Sequence, residues 1–142
     1  MEKLTRGIRN NNPFNIRISY NSWLGKVKSS KNSDKVFEQF RDIDYGLRAG
    51  IQLLRGYITR GYDTPRKIIN RFAPSYENDV ESYLNYVCHV SHVLPDMKIC
   101  FNTFEFFKLC LAICYYESHY VLNLEKYRDV CERFGICKPF LN

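Results

Sequence analysis

The strongest constraint on this sequence is the segment from Phe104 to His119, which is apolar almost all the way round. Leu109 to Tyr116 is an unbroken apolar run of eight residues, and Lys108 is the one charge between Phe106 and Tyr116. A helix with one apolar stripe lies on a surface, whereas a helix apolar on every side has to be enclosed by others. The run is far shorter than the roughly 18 residues that a membrane span requires. The segment is therefore expected to be the central helix of a compact, mainly α (α+β) domain, opening at Asn102 or Thr103. Material to enclose it is ample: 45% of the 142 residues are hydrophobic and 15% aromatic, a content that disordered chains lack. The length suits one domain over residues 1–142.

The surrounding segments read as shorter amphipathic helices. Leu47, Ile51, Leu54 and Ile58 recur at helical spacing, with Asp42 or Asp44 able to cap the start and Gly61 the end. Asp63-Thr64-Pro65 signals another start, because Pro is best tolerated in the first helical turn. Ile68, Ile69 and Phe72 then face inward until Pro74. Ser75 is expected to open a further helix with Val80, Tyr83, Leu84 and Val87 on its apolar side. Glu77-Asn78-Asp79 suits that start, where acids complement the helix dipole. A last helix is expected from Leu124 to Phe134, before Gly135. Residues 1–42 read as loop-rich, with Val36 to Phe40 forming a short strand paired in a hairpin with Ser22 to Lys28.

The formal net charge is +6, with the excess in the first half of the chain. It favours a polyanionic partner such as nucleic acid, an acidic cell wall or a lipid surface without choosing among them, and it serves solubility equally well. The first fifteen residues contain no apolar stretch of the kind a secretory signal needs, so none is expected. An even count of cysteines accordingly does not imply disulfides, since a reducing cytosol keeps thiols free, and pairing after release from the cell stays open. Cys88 with His92 and Cys110 with Cys114 have the i,i+4 spacing that sets two ligands on one helical face, but not the tight knuckle of common zinc modules. Buried core thiols are the expectation; no metal or other cofactor is implied.

One carboxylate stands out. Glu117 closes the apolar helix in the run Ala112-Ile113-Cys114-Tyr115-Tyr116-Glu117-Ser118-His119-Tyr120. A carboxyl beside so much apolar surface is poorly solvated when charged, which raises its pKa and keeps it protonated as a general acid requires. Glu117 could equally point to solvent from the last helical turn, or pair with an arginine.

The run Ala112 through Glu117-Ser118 resembles the catalytic helix of lysozyme-like lytic transglycosylases. Arg6-Gly7-Ile8-Arg9-Asn10-Asn11-Asn12-Pro13-Phe14-Asn15-Ile16-Arg17 resembles the opening of small phage and prophage proteins that are virion components or cell-wall lysins. That likeness continues through Trp23-Leu24-Gly25, Phe37-Glu38-Gln39-Phe40, Tyr45-Gly46-Leu47-Arg48-Ala49 and Ala73-Pro74, to roughly residue 90. In related cell-wall glucosaminidases a Glu-Ser pair precedes an Asn-Asn-x-Phe-Gly-Ile-Lys segment and a hairpin. Here the Asn-Pro-Phe-Asn-Ile-Arg segment comes first, the order that a circular permutation of a lysozyme-like domain would produce.

What the resemblance implies is cleavage of peptidoglycan glycan strands, by transglycosylation or hydrolysis, with Glu117 as general acid and base. A hydrolase needs a second carboxylate, for which Glu38 is the candidate, with Asp34 behind it; Glu38 could also be a solvent-facing strand residue. Trp23 is placed either on a sugar ring or in the packing of the hairpin. Asn12 and Asn15 could bind acetamido groups or brace a tight Asn-Pro turn. Arg17 could hold a substrate carboxylate bidentately or pair with Asp44. Tyr45, Tyr116 and Tyr120 complete the candidate cleft. The expected partners are glycan strands and other virion proteins, with production in a bacterial cytoplasm, then packaging in a virion or release with the help of a holin, and action on the cell wall. Two other classes remain open: a virion structural protein that binds cell wall or nucleic acid without catalysis, and a lysozyme-like scaffold that binds but does not cut. The basic and aromatic N-terminal half would suit stacked, phosphate-tracking nucleic-acid binding, but its cations form no single stripe and no nucleic-acid motif is present.

Overall fold

The structure, a computed structural model, describes residues 3–73, 79–137 and 140. Among the described residues the chain is mainly helical, with six helices: α1 (Arg6–Arg9), α2 (Ile43–Thr59), α3 (Pro65–Phe72), α4 (Val80–Ser91), α5 (Phe104–Ser118) and α6 (Leu124–Phe134). None is long and apolar enough to cross a membrane.

α5 lies at the centre, as its composition requires. Phe106, Leu109, Cys110, Ala112, Ile113 and Cys114 are each fully buried, covering the helix on several sides. α4 packs along it, α3 packs on α4, α2 meets α3 and α6, and α1 touches α5. The starts follow side-chain capping: Asp42, Thr64, Asp79, Thr103 and Asn123 each accept from a backbone N–H of the first turn, and Pro65 sits just inside α3. Gly135 (φ 62°) ends α6 in a left-handed turn. Pro74, the expected opening at Ser75, and Glu77-Asn78 lie outside the described residues.

Two glycines on α2 let the N-terminal loop come close. A Cβ at Gly46 would collide with the Asn11 carbonyl, and one at Gly50 with the ring of Phe14. Phe14 is fully buried, and side chains of this kind contribute about 1.5–3 kcal/mol each through removal from water.

The expected hairpin is not formed. Arg17–Phe37 and Lys26–Phe40 are isolated antiparallel bridges, so residues 36–40 lean at one end on 16–18 and at the other on 25–27. The reason lies in the asparagines, whose side chains take backbone groups that a ladder would use. Asn12 Nδ2 donates to the Glu38 carbonyl (2.9 Å), Asn32 Nδ2 to that of Phe37 (3.0 Å) and Asn11 Nδ2 to that of Phe40 (3.0 Å). The loop-rich start also contains α1, a single turn capped by Thr5 and too short for periodicity to announce. The redox state that the sequence leaves open is settled for one pair: Cys131 and Cys137 form a disulfide, brought together (Cα–Cα 4.9 Å) as the chain reverses beyond Gly135. Cys110 and Cys114 are buried in the core. No cluster of three or more potential metal ligands occurs among the described residues.

Candidate active site

Glu117 occupies the last turn of α5, and the N-terminal loop holds that turn in place. Ser118 is buried, its hydroxyl within hydrogen-bond distance of the Pro13 carbonyl (2.8 Å) and the Cys114 carbonyl (3.0 Å). The Thr5 hydroxyl donates to the Ser118 carbonyl (2.6 Å). Gly7 makes the approach possible, since a Cβ there would sit 2.7 Å from Ser118 Cβ and 2.8 Å from Asn15 Oδ1. His119 (φ 58°) and Asn15 (φ 52°) take left-handed conformations on either side of the contact, the first ending the helix and the second turning an asparagine toward it.

The Glu117 carboxylate meets two donors. The Tyr83 hydroxyl donates to Oε2 (2.7 Å), and Asn15 Nδ2 lies 3.2 Å from Oε1 and 3.0 Å from the Glu117 carbonyl oxygen. Tyr83 is fully buried and stacked on Tyr116, with ring centroids 3.8 Å apart and planes at 27°. Burial pushes the Glu117 carboxyl above the usual carboxylate range, while the bonds from Tyr83 and Asn15 and the charge of Arg17 pull the other way. Burial, with the facing carboxylate, pushes the Tyr83 phenol well above its ordinary value, so it stays a donor. A carboxyl so placed can hold a proton where an exposed one has lost it, and can pass it to an atom in front of it.

A cleft of about 350 Å³ opens at this carboxyl. Asn15, Arg17, Phe37 and Trp23 form one side; Leu53 and Tyr57 of α2, with Arg71 and Phe72 of α3, form the other. Glu117 is the one carboxylate in its lining among the described residues. Trp23 is packed against the core, and its Nε1 is buried with no hydrogen-bond partner among the described residues.

The structure thus gathers Glu117, Asn15, Arg17 and Trp23, and it separates the other candidates from them. Glu38 is buried on the far side of the loop, paired with Lys26 (2.9 Å) and outside the cleft lining, so it is neither solvent-facing nor opposite Glu117. Asp34 behind it binds Arg6 through two bonds (2.6 and 2.8 Å), which hold its carboxyl below the carboxylate range. Asn12 is a brace, donating to the Ile16 and Glu38 carbonyls and accepting from Ile16 N–H. Tyr45 lies under Gly25 and beside Phe134 (5.4 Å), away from the cleft. Tyr116 acts one layer back, against Tyr83. Tyr120 is half-buried and does not line the cleft. Arg17 does not pair with Asp44, which is taken by Lys126 (2.5 Å) and Arg133 (2.9 Å).

Sequence reasoning missed Tyr83, Tyr57, Arg71 and Phe72. Tyr83 carried a usable signal: a tyrosine on the apolar face of a helix needs a partner for its hydroxyl once buried. Which group would supply that partner depends on how α4 packs on α5.

No family model matches the chain. A curated relative, Protein P5 of Pseudoalteromonas phage PM2, is 35% identical over 103 residues, 70% of this chain and 63% of that protein. The chain therefore spans a little under two thirds of the length of the relative it matches, and its similarity is to a bacteriophage protein.

Proposed function

We propose, with the likeness to a bacteriophage protein as premise, that this chain cleaves the glycan strands of peptidoglycan as a lytic transglycosylase. The observation that carries the reading is the Glu117 carboxyl: raised in pKa by burial, donated to by Tyr83 and Asn15, and facing a cleft. Protonated Glu117 gives its proton to the glycosidic oxygen as the C1–O bond breaks and positive charge builds on C1 and the ring oxygen. The carboxylate left behind then takes the proton of the muramic 6-hydroxyl as that oxygen closes on C1. The product is a 1,6-anhydro end, no water is consumed, and the acid is regenerated. Tyr83 and Asn15 steady the carboxylate between the two steps, and the Trp23 ring offers an apolar face to a sugar.

One carboxylate suffices for this route, whereas inverting or retaining hydrolysis uses two. Glu38, the candidate for the second role, is paired with Lys26, which favours transglycosylation. The lysozyme-like, circularly permuted arrangement belongs to the same proposal. It is supported by the contact of Asn15, early in the chain, with Glu117, late in it. The setting is a virion or a lysing bacterial cell, with the cell wall as target and other virion proteins as neighbours.

The test is digestion of purified peptidoglycan by the wild type and by Glu117→Gln, with products read by mass spectrometry. Anhydromuramic ends from the wild type alone support the proposal. Reducing ends would replace transglycosylation by hydrolysis. No cleavage by a folded wild type would overturn the enzymatic reading and leave a wall-binding virion protein.

A further inference from the structure

The cleft does not stop at Trp23. On the far side of this ring a second, larger depression of about 630 Å³ runs along the outward face of α2. Asn21, Trp23 and Leu53 line both hollows, so the two adjoin at the Trp23 ring. Arg48, Gln52, Gly56 and Arg60 line the α2 side of this extension. These positions recur every four residues, each neighbouring the next on the helix surface, in a row that winds gradually round α2 from Arg48 to the C-cap Arg60 over a rise of about 18 Å. Gly56 keeps the wall low, with nothing but the Arg60 guanidinium near the position a Cβ would take (3.5 Å).

The charge of this extension is one-sided. Among the described residues its lining contains two arginines and no carboxylate. Among the described residues neither arginine has an ion-pair partner: the Arg48 guanidinium lies 5.7 Å from the centroid of the Phe134 ring and that of Arg60 lies 5.6 Å from the Tyr57 ring. The acids nearest in sequence are engaged elsewhere, Asp44 with Lys126 and Arg133, Asp42 with Arg133, and Asp63 with Lys67 (3.9 Å). Cations left unpaired along a groove that also holds amide side chains and an indole suit a ligand carrying carboxylates at intervals along a polar backbone.

We propose that the trough along α2 is a binding site for the carboxylates of the peptide stems that decorate a glycan strand, with Arg48 and Arg60 as the contacting cations. The inference rests on the glycan-cleaving reading and adds substrate class to it. The strand threads past Trp23, its reacting linkage stays at Glu117, and its neighbouring stem extends over α2. The expected preference is for peptide-bearing strands over bare ones.

The experiment compares three substrates: intact peptidoglycan, the same glycan stripped of peptides by an amidase, and neutral chitooligosaccharide. Wild type and Arg48→Gln/Arg60→Gln are assayed on each for initial rates and for sedimentation with the insoluble wall at low and moderate salt. Expected are at least a roughly tenfold preference of the wild type for the peptide-bearing wall, carried in KM, and a fall of that ratio toward one in the double variant. Equal rates on peptide-bearing and bare glycan, or a ratio that the variant leaves intact, would overturn the inference while sparing the function. If no substrate is cleaved, the function fails and the sedimentation arm still decides: salt-sensitive retention on peptide-bearing wall, lost in the variant, supports the site. Equal retention on bare glycan, or Arg48- and Arg60-dependent binding of duplex DNA in place of wall, overturns it.

Discussion

Replacing Tyr83 by Phe isolates the bond that tempers Glu117. Phe keeps the ring that stacks on Tyr116 at 3.8 Å and removes the oxygen that donates to Glu117 Oε2 at 2.7 Å. A hydrogen bond to a charged group contributes about 1.5–3 kcal/mol. This one acts on the ionised carboxylate, so its loss raises the Glu117 pKa by about one to two pH units. The stability effect follows the same sign. Tyr83 stabilises the fold while Glu117 is ionised, so the loss in Tyr83→Phe is full only above the raised Glu117 pKa of the variant. It fades as the pH falls toward the lower wild-type pKa and Glu117 becomes protonated in both proteins. A carbon-13 NMR titration of the Glu117 carboxyl reads the shift directly, and thermal melts across the same pH series read the linkage. If Glu117 is the acid, the alkaline limb of the rate profile moves up by the same amount. A Glu117 carboxyl that titrates at the same or a lower pH in Tyr83→Phe would refute the assignment of this bond as the group that restrains its pKa.

Other perturbations test the frame. Gly50→Ala drives a methyl into the buried Phe14 ring; overpacking of about 1–3 kcal/mol outweighs the roughly 1 kcal/mol gain in helix propensity, so the urea midpoint should fall without a change in slope. Asn12→Ala strands backbone groups of Ile16 and Glu38 in the interior, and chemical denaturation should show a loss of about 2–4 kcal/mol. Glu117→Gln removes a carboxyl whose folded pKa is raised by burial. The wild type loses stability as pH rises from the unfolded to the folded pKa, whereas the variant does not. Its unfolding free energy relative to wild type, read by chemical denaturation, should therefore climb with pH, by about 1.4 kcal/mol for each pH unit separating the two pKa values; a difference that is flat with pH would contradict the raised pKa.

What could be read in advance was local chemistry. The helix starts at Asp42, Thr64 and Thr103 follow from a capping side chain one residue before an apolar stripe, and α5 is central because no side of it is polar. The hairpin was misread because alternation along Val36 to Phe40 does not reveal that Asn11, Asn12 and Asn32 occupy the carbonyls a partner strand would use. Glu38 was misassigned for a related reason: its burial against Lys26 is a contact across the loop that no spacing encodes. In the site, Glu117, Asn15, Arg17 and Trp23 were legible as residue types in suggestive company. Tyr83, Arg71 and Phe72 were hidden, because Tyr83 reaches Glu117 only through the packing of α4 on α5, and Arg71 and Phe72 reach the cleft only through the placement of α3. The Cys131–Cys137 bond is open in the sequence, because cysteine count and compartment single out no pair, while the pairing depends on one left-handed turn at Gly135.

The central claim, that Glu117 delivers a proton to a glycosidic oxygen in the cleft beside Trp23, is tested most directly by a crystal structure of Glu117→Gln with a peptide-bearing muramic acid–glucosamine tetrasaccharide. The account predicts a strand lying along the trough, with one glycosidic oxygen within about 3 Å of the residue-117 carboxamide and a sugar face against the indole. A tetrasaccharide bound elsewhere, or one in the cleft with no linkage within reach of residue 117, would contradict it.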